Sequence, residues 1–534
     1  WHYFQVSLQT RTILARAREL VEEKEFQRSL RFFRQYIMTQ PENVDVRIEY
    51  AEAMDEVGKG NPYQVKNAVN AFARVLGMAP NHLKSKIRYA ELLMQLGESE
   101  SALKTADEIL DKETEHAAAL RIRAIALLDR GVDDRASPDM EVRLAAEKAI
   151  RFNPKNVTVP YLYALYLRSY PLAIEKNRLE DLANTVMDSM LLRNASDPDG
   201  FANQYRYRRR FLPENAAVDL QIALNRFPSD SRFVVFEAER QVREKQLDDA
   251  LVTYRRALKI DPETRAAYLG MANIYRRQDH PQKAQTLLQQ GLQAIDDQDI
   301  LLRLELADVS IDLKDNDAAA ATLAQLDRQL ALIGSNLPPS TRVDLEAMVY
   351  ALHGRLALRK DQGRNAIRQF ENSLRRTKAE GKSDLARFQR RMLLLQQLAQ
   401  LYNSFSEWDR VAAYYDGLIA LEPAVPMWRV KKAYSQQKSG QWQRAADSYQ
   451  RALADPGCPV TVHYDYARAL LMAQSTIGVA NREWARFQNT LAKAQELAPS
   501  VYGHVLMAEY HLVNGNRLSA LEALKVAEQQ MPPD

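Results

Sequence analysis

Cysteine is all but missing from this chain of 534 residues. The lone Cys458 can close no disulfide within the molecule, so packing must hold the fold, and disulfides say nothing of the redox compartment. A single thiol of this kind is read as a small core residue rather than a nucleophile. Glycine is scarce as well, 18 in all, and the runs of alternating Val, Ile, Thr and Tyr that mark strands are nearly absent. No run of about 18 apolar residues occurs, so the sequence contains no membrane-spanning helix. A dominant charge is lacking too. The 73 Lys and Arg face 69 Asp and Glu, and the formal excess of +4 is too small over this length to attract nucleic acid or anionic lipid by its field alone.

The residues of common catalytic and metal sites are equally hard to assemble. The histidines, His2, His82, His116, His280, His353, His463, His504 and His511, include no two that are three or four positions apart. His504 and His511 would stand about 10.5 Å apart along a helix, too far to share an ion. The stretch Gly58-Lys59-Gly60-Asn61-Pro62 lacks the spacing and the following Lys-Ser/Thr of a phosphate loop, and neither a G-x-S-x-G elbow nor an HExxH pair occurs. Acidic pairs such as Asp248 with Asp249 read as solvated turns and helix faces. The expectation is a protein that is not an enzyme and needs no cofactor or metal.

What the chain does have is Ala, Leu, Arg, Gln and Glu, the residues that lose least on entering a helix. Residues 83–111 hold one glycine and no proline. The reading is all-α. A length beyond the roughly 250–300 residues at which one core stops growing requires several domains or an extended array. Internal repetition favours the array. Segments 231–262, 266–296 and 427–457 return the same residue classes in a unit of 34 positions. Ala238, Ala250, Tyr254, Ala257 and Pro262 of the first are answered by Tyr268, Ala272, Tyr275, Ala284 and Leu288. The third supplies Ala433, Gly440, Ala445, Tyr449 and Ala452. Small residues suit the close crossing of two antiparallel helices, and Gly or Pro breaks the chain between them.

Prolines carry the register further. Pro41, Pro80, Pro154, Pro228, Pro262, Pro423, Pro499 and Pro532 each close an expected second helix. Ala51, Ala90, Ala164, Ala238, Ala272 and Ala433 follow the first six of these at a constant ten residues. Near the end Ala508, Gly515, Ala520 and Ala527 restate the motif. This pattern strongly resembles the tetratricopeptide repeat over most of the chain. The resemblance implies an α-solenoid of about twelve to fourteen antiparallel helix pairs. Residues 59–64 and 132–140 lengthen turns, 172–199 are least regular, and 194–200 and 333–340 break the pattern. The expected division is 1–195, 196–338 and 339–534.

One hairpin cannot bury its apolar face alone, so the stack forms the core and function belongs on a surface. The resemblance implies that this surface is the concave groove of the first helices, holding partner proteins or peptides. Near it fall Glu239, Asn273, Arg276 and Arg277, with Tyr434 as an aromatic anchor farther on. Some members of the family grip a chaperone's C-terminal carboxylate with Lys and Asn. Here only Asn273 matches, and Val235 and Glu239 replace the preceding Lys and Asn. A second candidate is the basic patch Arg206, Arg208, Arg209 and Arg210, interleaved with Tyr205, Tyr207 and Phe211. Aromatics among arginines can form a single-stranded nucleic-acid platform, but on a helix these residues point all around the axis, and arginines paired with acidic neighbours give the same sequence.

The leading expectation is therefore a non-catalytic scaffold for proteins, with nucleic acid not the expected partner. Two alternatives stand beside it: a regulatory or substrate-presenting arm of a larger enzyme such as a glycosyltransferase, and an RNA-binding helical repeat. Open repeat ends also allow self-association. Trp1, Tyr3 and Phe4 fit the interfacial end of a membrane tether before residue 1, as in bacterial tetratricopeptide proteins facing the periplasm. A trimmed cytoplasmic chain would look the same.

Overall fold

The computed structural model describes residues 2–59, 62–130, 138–170, 175–334, 337–377 and 385–530. Trp1, Pro532 and the turn insertion at 132–137 lie outside them. Twenty-eight α-helices alternate as first and second members of pairs, and no strand occurs among the described residues.

Two compact units divide the chain, Trp1–Glu346 and Ala347–Asp534. The first begins with α1 (His2–Glu22) and α2 (Phe26–Thr39), then α3 (Val44–Gly58) and α4 (Pro62–Met78). It continues with α5 (Leu83–Gln95), α6 (Ser99–Leu110), α7 (Ala117–Asp129), α8 (Met140–Phe152), α9 (Thr158–Arg168) and α10 (Lys176–Arg193). Next come α11 (Pro198–Phe211), α12 (Pro213–Arg226), α13 (Ser231–Arg243), α14 (Leu247–Ile260), α15 (Arg265–Arg277) and α16 (Pro281–Ala294). Last are α17 (Ile300–Asp312) and α18 (Asn316–Ile333). The second unit holds most of α19 (Pro339–Arg359), with α20 (Gly363–Arg376), α21 (Leu385–Ser404), α22 (Trp408–Leu421) and α23 (Pro426–Lys438). It also contains α24 (Trp442–Leu453), α25 (Val462–Ser475), α26 (Ala485–Leu497), α27 (Val501–Val513) and α28 (Arg517–Gln529).

Helix ends follow the prolines. The second helices α2, α4, α8, α12, α14, α22 and α26 each stop two residues before Pro41, Pro80, Pro154, Pro228, Pro262, Pro423 and Pro499. A proline drives the residue before it out of the helical region, and this sets the stop. Starts are capped where the sequence offers an oxygen: Asp299 Oδ1, for example, accepts the Leu302 N–H at 3.0 Å.

Turns inside the pairs depart from the expectation that glycine marks them. A residue with positive φ reverses the chain at Lys24, Lys245, Asp279, Lys314, Asp361 and Ser406 as well as at Gly97, Gly440 and Gly515. The next N–H then reaches back five residues, as in Gln246 to the Gln241 carbonyl at 2.9 Å and Gln441 to that of Gln436 at 2.8 Å. That bond satisfies a helix-end carbonyl and makes the left-handed conformation tolerable without glycine.

The small residues do what their spacing predicts. Ala51, Ala90, Ala164, Ala238, Ala272 and Ala433 are all 0% exposed. Around them Tyr254, Leu288 and Tyr449 are buried in the neighbouring holes. Within each unit the second helix of a pair touches the first helix of the next, as α2 does α3 and α24 does α25, and successive first helices also meet, α5 with α7, α7 with α9, α13 with α15 and α25 with α27. Their remaining faces stay open, which is where a site can form.

Candidate functional site

The basic patch sits on α11, and much of it is already engaged. Tyr205 and Tyr207 are buried, and the Tyr205 ring stacks on Phe236 at 4.8 Å. Arg208 Nη1 donates to Asp219 at 2.8 Å and its Nη2 to Asp188 at 2.8 Å. Burial pushes the Asp219 carboxyl up, and Arg208 opposes that shift. Arg206 lies over the Phe236 ring at 5.2 Å, and Arg210 over Phe211 at 5.1 Å. The aromatic residues Tyr205 and Tyr207 therefore face the core, away from any base that would stack on them.

Arg209 ties this patch to the other candidate. Its Nη1 donates to Glu239 of α13 at 2.6 Å. On α15, Asn273 and Arg277 are exposed. Arg276 on the same helix is not free: it reaches three carboxylates of α17, Glu305 at 2.7 Å, Asp308 at 2.8 Å and Asp312 at 2.7 Å. Desolvation lowers the affinity of this guanidinium for its proton, and the carboxylates more than restore it. Tyr434, in the second unit, is half exposed with Lys438 Nζ 5.3 Å from its ring centre.

A larger recess, of about 840 Å³, opens between the first helices α1, α3 and α5. Val21, Phe26, Phe33, Phe72 and Ile87 supply its apolar wall. Ion pairs rim it. Arg18 holds Glu49 through two hydrogen bonds of 2.8 and 2.7 Å, Lys84 holds Glu52 at 2.6 Å, and Arg88 holds Asp55 at 2.6 and 2.9 Å. Glu22 and Glu56 also line it. Glu22 is one half of an acidic pair with Glu23 that reads from the sequence as solvated, and the sequence singles out none of the others. A signal existed, since Arg18 with Glu49, Glu52 with Lys84 and Asp55 with Arg88 are opposite charges spaced by about one repeat on successive first helices, but solvated surface charges show similar coincidences.

Among the described residues no group of three His, Cys, Asp or Glu could hold a metal ion, and no helix is long and apolar enough to cross a membrane. Cys458 is half-buried against the C-terminal core, and burial pushes its thiol up, away from the thiolate a nucleophile needs. A polar recess of about 510 Å³ between α22, α23 and α24 is lined by Asp409, Asp416, Lys432 and Arg444.

One tetratricopeptide-repeat family model matches residues 63–134 and 241–301, and a second such model matches 430–476. No curated protein matches the chain. Among solved structures, yeast Tom70 is 13% identical, with 92% of this chain and 98% of that one covered and a TM-score of 0.40. The Cut9 and Hcn1 hetero-tetramer of the APC/C gives 12% identity, 88% and 98% coverage and a TM-score of 0.37. The human IFIT1 dimer with PPP-AAAA gives 13%, 82% and 88% coverage and 0.39. The matched stretches fall in both units, and between them α12 and α22 also stop two residues before a proline, with Ala202 and Ala223 of α11 and α12 and Ala399 of α21 buried. Residues 63–134, 241–301 and 430–476 are therefore tetratricopeptide repeats, a class of repeat that generally serves contacts between proteins.

Proposed function

We propose that this chain is a non-catalytic scaffold that holds partner proteins or peptides on the open faces of its first helices. The recess between α1, α3 and α5 is its strongest anchor point. One observation carries this reading: an apolar wall of Val21, Phe26 and Ile87 lies open inside a charged rim. An anchor side chain from a partner would gain by desolvation there, while the rim pairs exchange hydrogen bonds with its flanks. Asn273, Arg277 and Tyr434 remain as further exposed contacts, whereas Arg276 and Glu239 serve mainly to fix the helices that present them.

Affinity capture from the native cells, with mild crosslinking, nuclease treatment and mass spectrometry, tests the proposal. Protein partners that survive nuclease are expected, and Ile87→Gln and Lys84→Glu should each weaken their capture by roughly tenfold, the scale of an interface anchor. Capture that vanishes with nuclease would replace the protein scaffold by the RNA-binding alternative. Capture indifferent to both substitutions would move the anchor away from the recess.

A further inference from the structure

Three exposed arginines recur at the repeat period. Arg209, Arg243 and Arg277 follow one another at a constant step of 34 residues, in the last turns of α11, α13 and α15. The buried alanines of the next helices, Ala216, Ala250 and Ala284, keep the same step, so the three places are equivalent in the repeat. One turn earlier the same helices carry Tyr205, Glu239 and Asn273, again 34 apart. The helix dipole favours a cation at such an end, yet it occupies none of the guanidinium donors.

Contacts between the helices put both rows on one side. Arg209 of α11 donates to Glu239 of α13 at 2.6 Å, and Arg243 Nη2 donates back to the Tyr205 hydroxyl at 3.3 Å. α15 meets α13 in turn. The charges do not cancel, because Glu239 is the one carboxylate that the row engages; among the described residues neither Arg243 nor Arg277 pairs with an acid. On α17 the equivalent place holds Asp312, two residues before the left-handed Lys314 as Arg277 is before Asp279. Arg276 already binds Asp312 at 2.7 Å, so the cationic row ends at α15.

We propose that this row holds an acidic peptide in the polyproline II conformation, with a carboxylate at every third residue. The proposal rests on the scaffold reading above and deepens it, at a place separate from the recess. Helices in contact lie about 8–10 Å apart, which sets the step of the row. Polyproline II has three residues per turn and a rise of about 3.1 Å, so every third side chain returns to one face after about 9.3 Å. The two steps match. A β-strand would not serve, because residues three apart in it point to opposite faces. The planar fork of arginine suits a carboxylate. Asn273, exposed beside Arg277, offers hydrogen bonds to a backbone that polyproline II leaves unpaired. Single-stranded nucleic acid is disfavoured, since Tyr205 and Tyr207 are buried and no base could stack on them.

Fluorescence anisotropy with the full chain and a labelled Pro-Pro-Glu repeat peptide tests this. Saturable binding is expected. Arg243→Gln and Arg277→Gln should each weaken it by roughly three- to fivefold, the scale of an exposed ion pair. Glu239→Gln should tighten it by a similar factor, because Arg209 is then released and a repelling charge removed. A peptide of the same composition with its glutamates adjacent should bind more weakly, since it cannot span the row. Circular dichroism of the variants should match the parent, because these side chains lie at the surface. Absent binding, equal binding of the two peptides, or binding unmoved by both arginine substitutions would overturn the proposal. So would a single-stranded oligouridine of equal charge that binds more tightly and is lost with the same substitutions. Peptide binding that fails while affinity capture still yields protein partners would overturn the row alone and leave the scaffold reading standing; capture lost to nuclease, with the peptide unbound, would overturn both.

Discussion

Gly270 on α15 faces the ring of Tyr254 on α14 so closely that a Cβ at position 270 would lie 2.3 Å from the tyrosine Cζ. Gly77 in α4 is the opposite case, with nothing within 4 Å of a Cβ built there. Alanine is the better helix former at both places by propensity alone. Gly77→Ala should therefore stabilise the chain by about 0.5–1 kcal/mol. Gly270→Ala should destabilise it by about 1–3 kcal/mol, because Tyr254 is buried and its rigid ring has no room to withdraw. Urea unfolding midpoints moving in opposite directions would establish the difference; equal gains would show that the pair is loosely packed.

The turns that lack glycine yield a second expectation. Lys314 has a φ of 62° between α17 and α18, a conformation costly for a residue with a Cβ. Lys314→Gly should raise stability by about 1 kcal/mol, and Gly440→Ala should lower it by a similar amount, since Gly440 has a φ of 78°. Thermal melts of the two variants check both signs.

Arg276 separates structural charge from available charge. Its removal leaves Glu305, Asp308 and Asp312 of α17 facing α15 without this cation. Arg276→Ala should cost about 2 kcal/mol, below the range for fully buried pairs because the site is partly solvated. Arg277→Ala and Asn273→Ala, on the exposed side of the same helix, should each stay within about 0.5 kcal/mol. Binding measured with the latter two would then report the surface and not the fold.

Alkaline pH should weaken the structure. Burial pushes the Tyr254 hydroxyl up to about 12, with nearby Glu239 adding to the rise. Tyr163, Tyr414 and Tyr449 move in the same direction, chiefly through burial. An unfolded tyrosine loses its proton near pH 10 (roughly), so above that pH the folded state holds more protons and stability falls as pH rises. Tyr254 alone contributes on the order of 3 kcal/mol of this loss once pH passes its folded value. Urea unfolding between pH of about 9 and 11 should show the decline, and Tyr254→Phe should make it shallower.

The repeat was legible from residues that act through the backbone or through small size. Proline stops a helix by local sterics, and Pro41, Pro80 and Pro262 did so wherever they were read. Alanine at a close crossing has no substitute of larger volume, so Ala90, Ala238 and Ala433 repeat visibly and are buried. The turn at Lys245 or Ser406 was not legible as a left-handed one, because the bond that stabilises it lies between backbone atoms and leaves no mark on residue type.

Local chemistry in the sequence thus determined that this chain is helical, where the second helices that precede a proline stop and which small residues lie inside. Only tertiary structure decided what the surface charges do. Arg276 and Arg277 are adjacent and identical in type, yet one bridges to three carboxylates from the next first helix and the other faces solvent. Likewise Leu251 and Leu521 occupy the same register, and their exposure differs because a further helix covers the one and none among the described residues covers the other. Helix propensity and caps act within a few residues, whereas ion pairing and burial depend on which helix lies alongside, and stacking across about 34 positions supplies that neighbour.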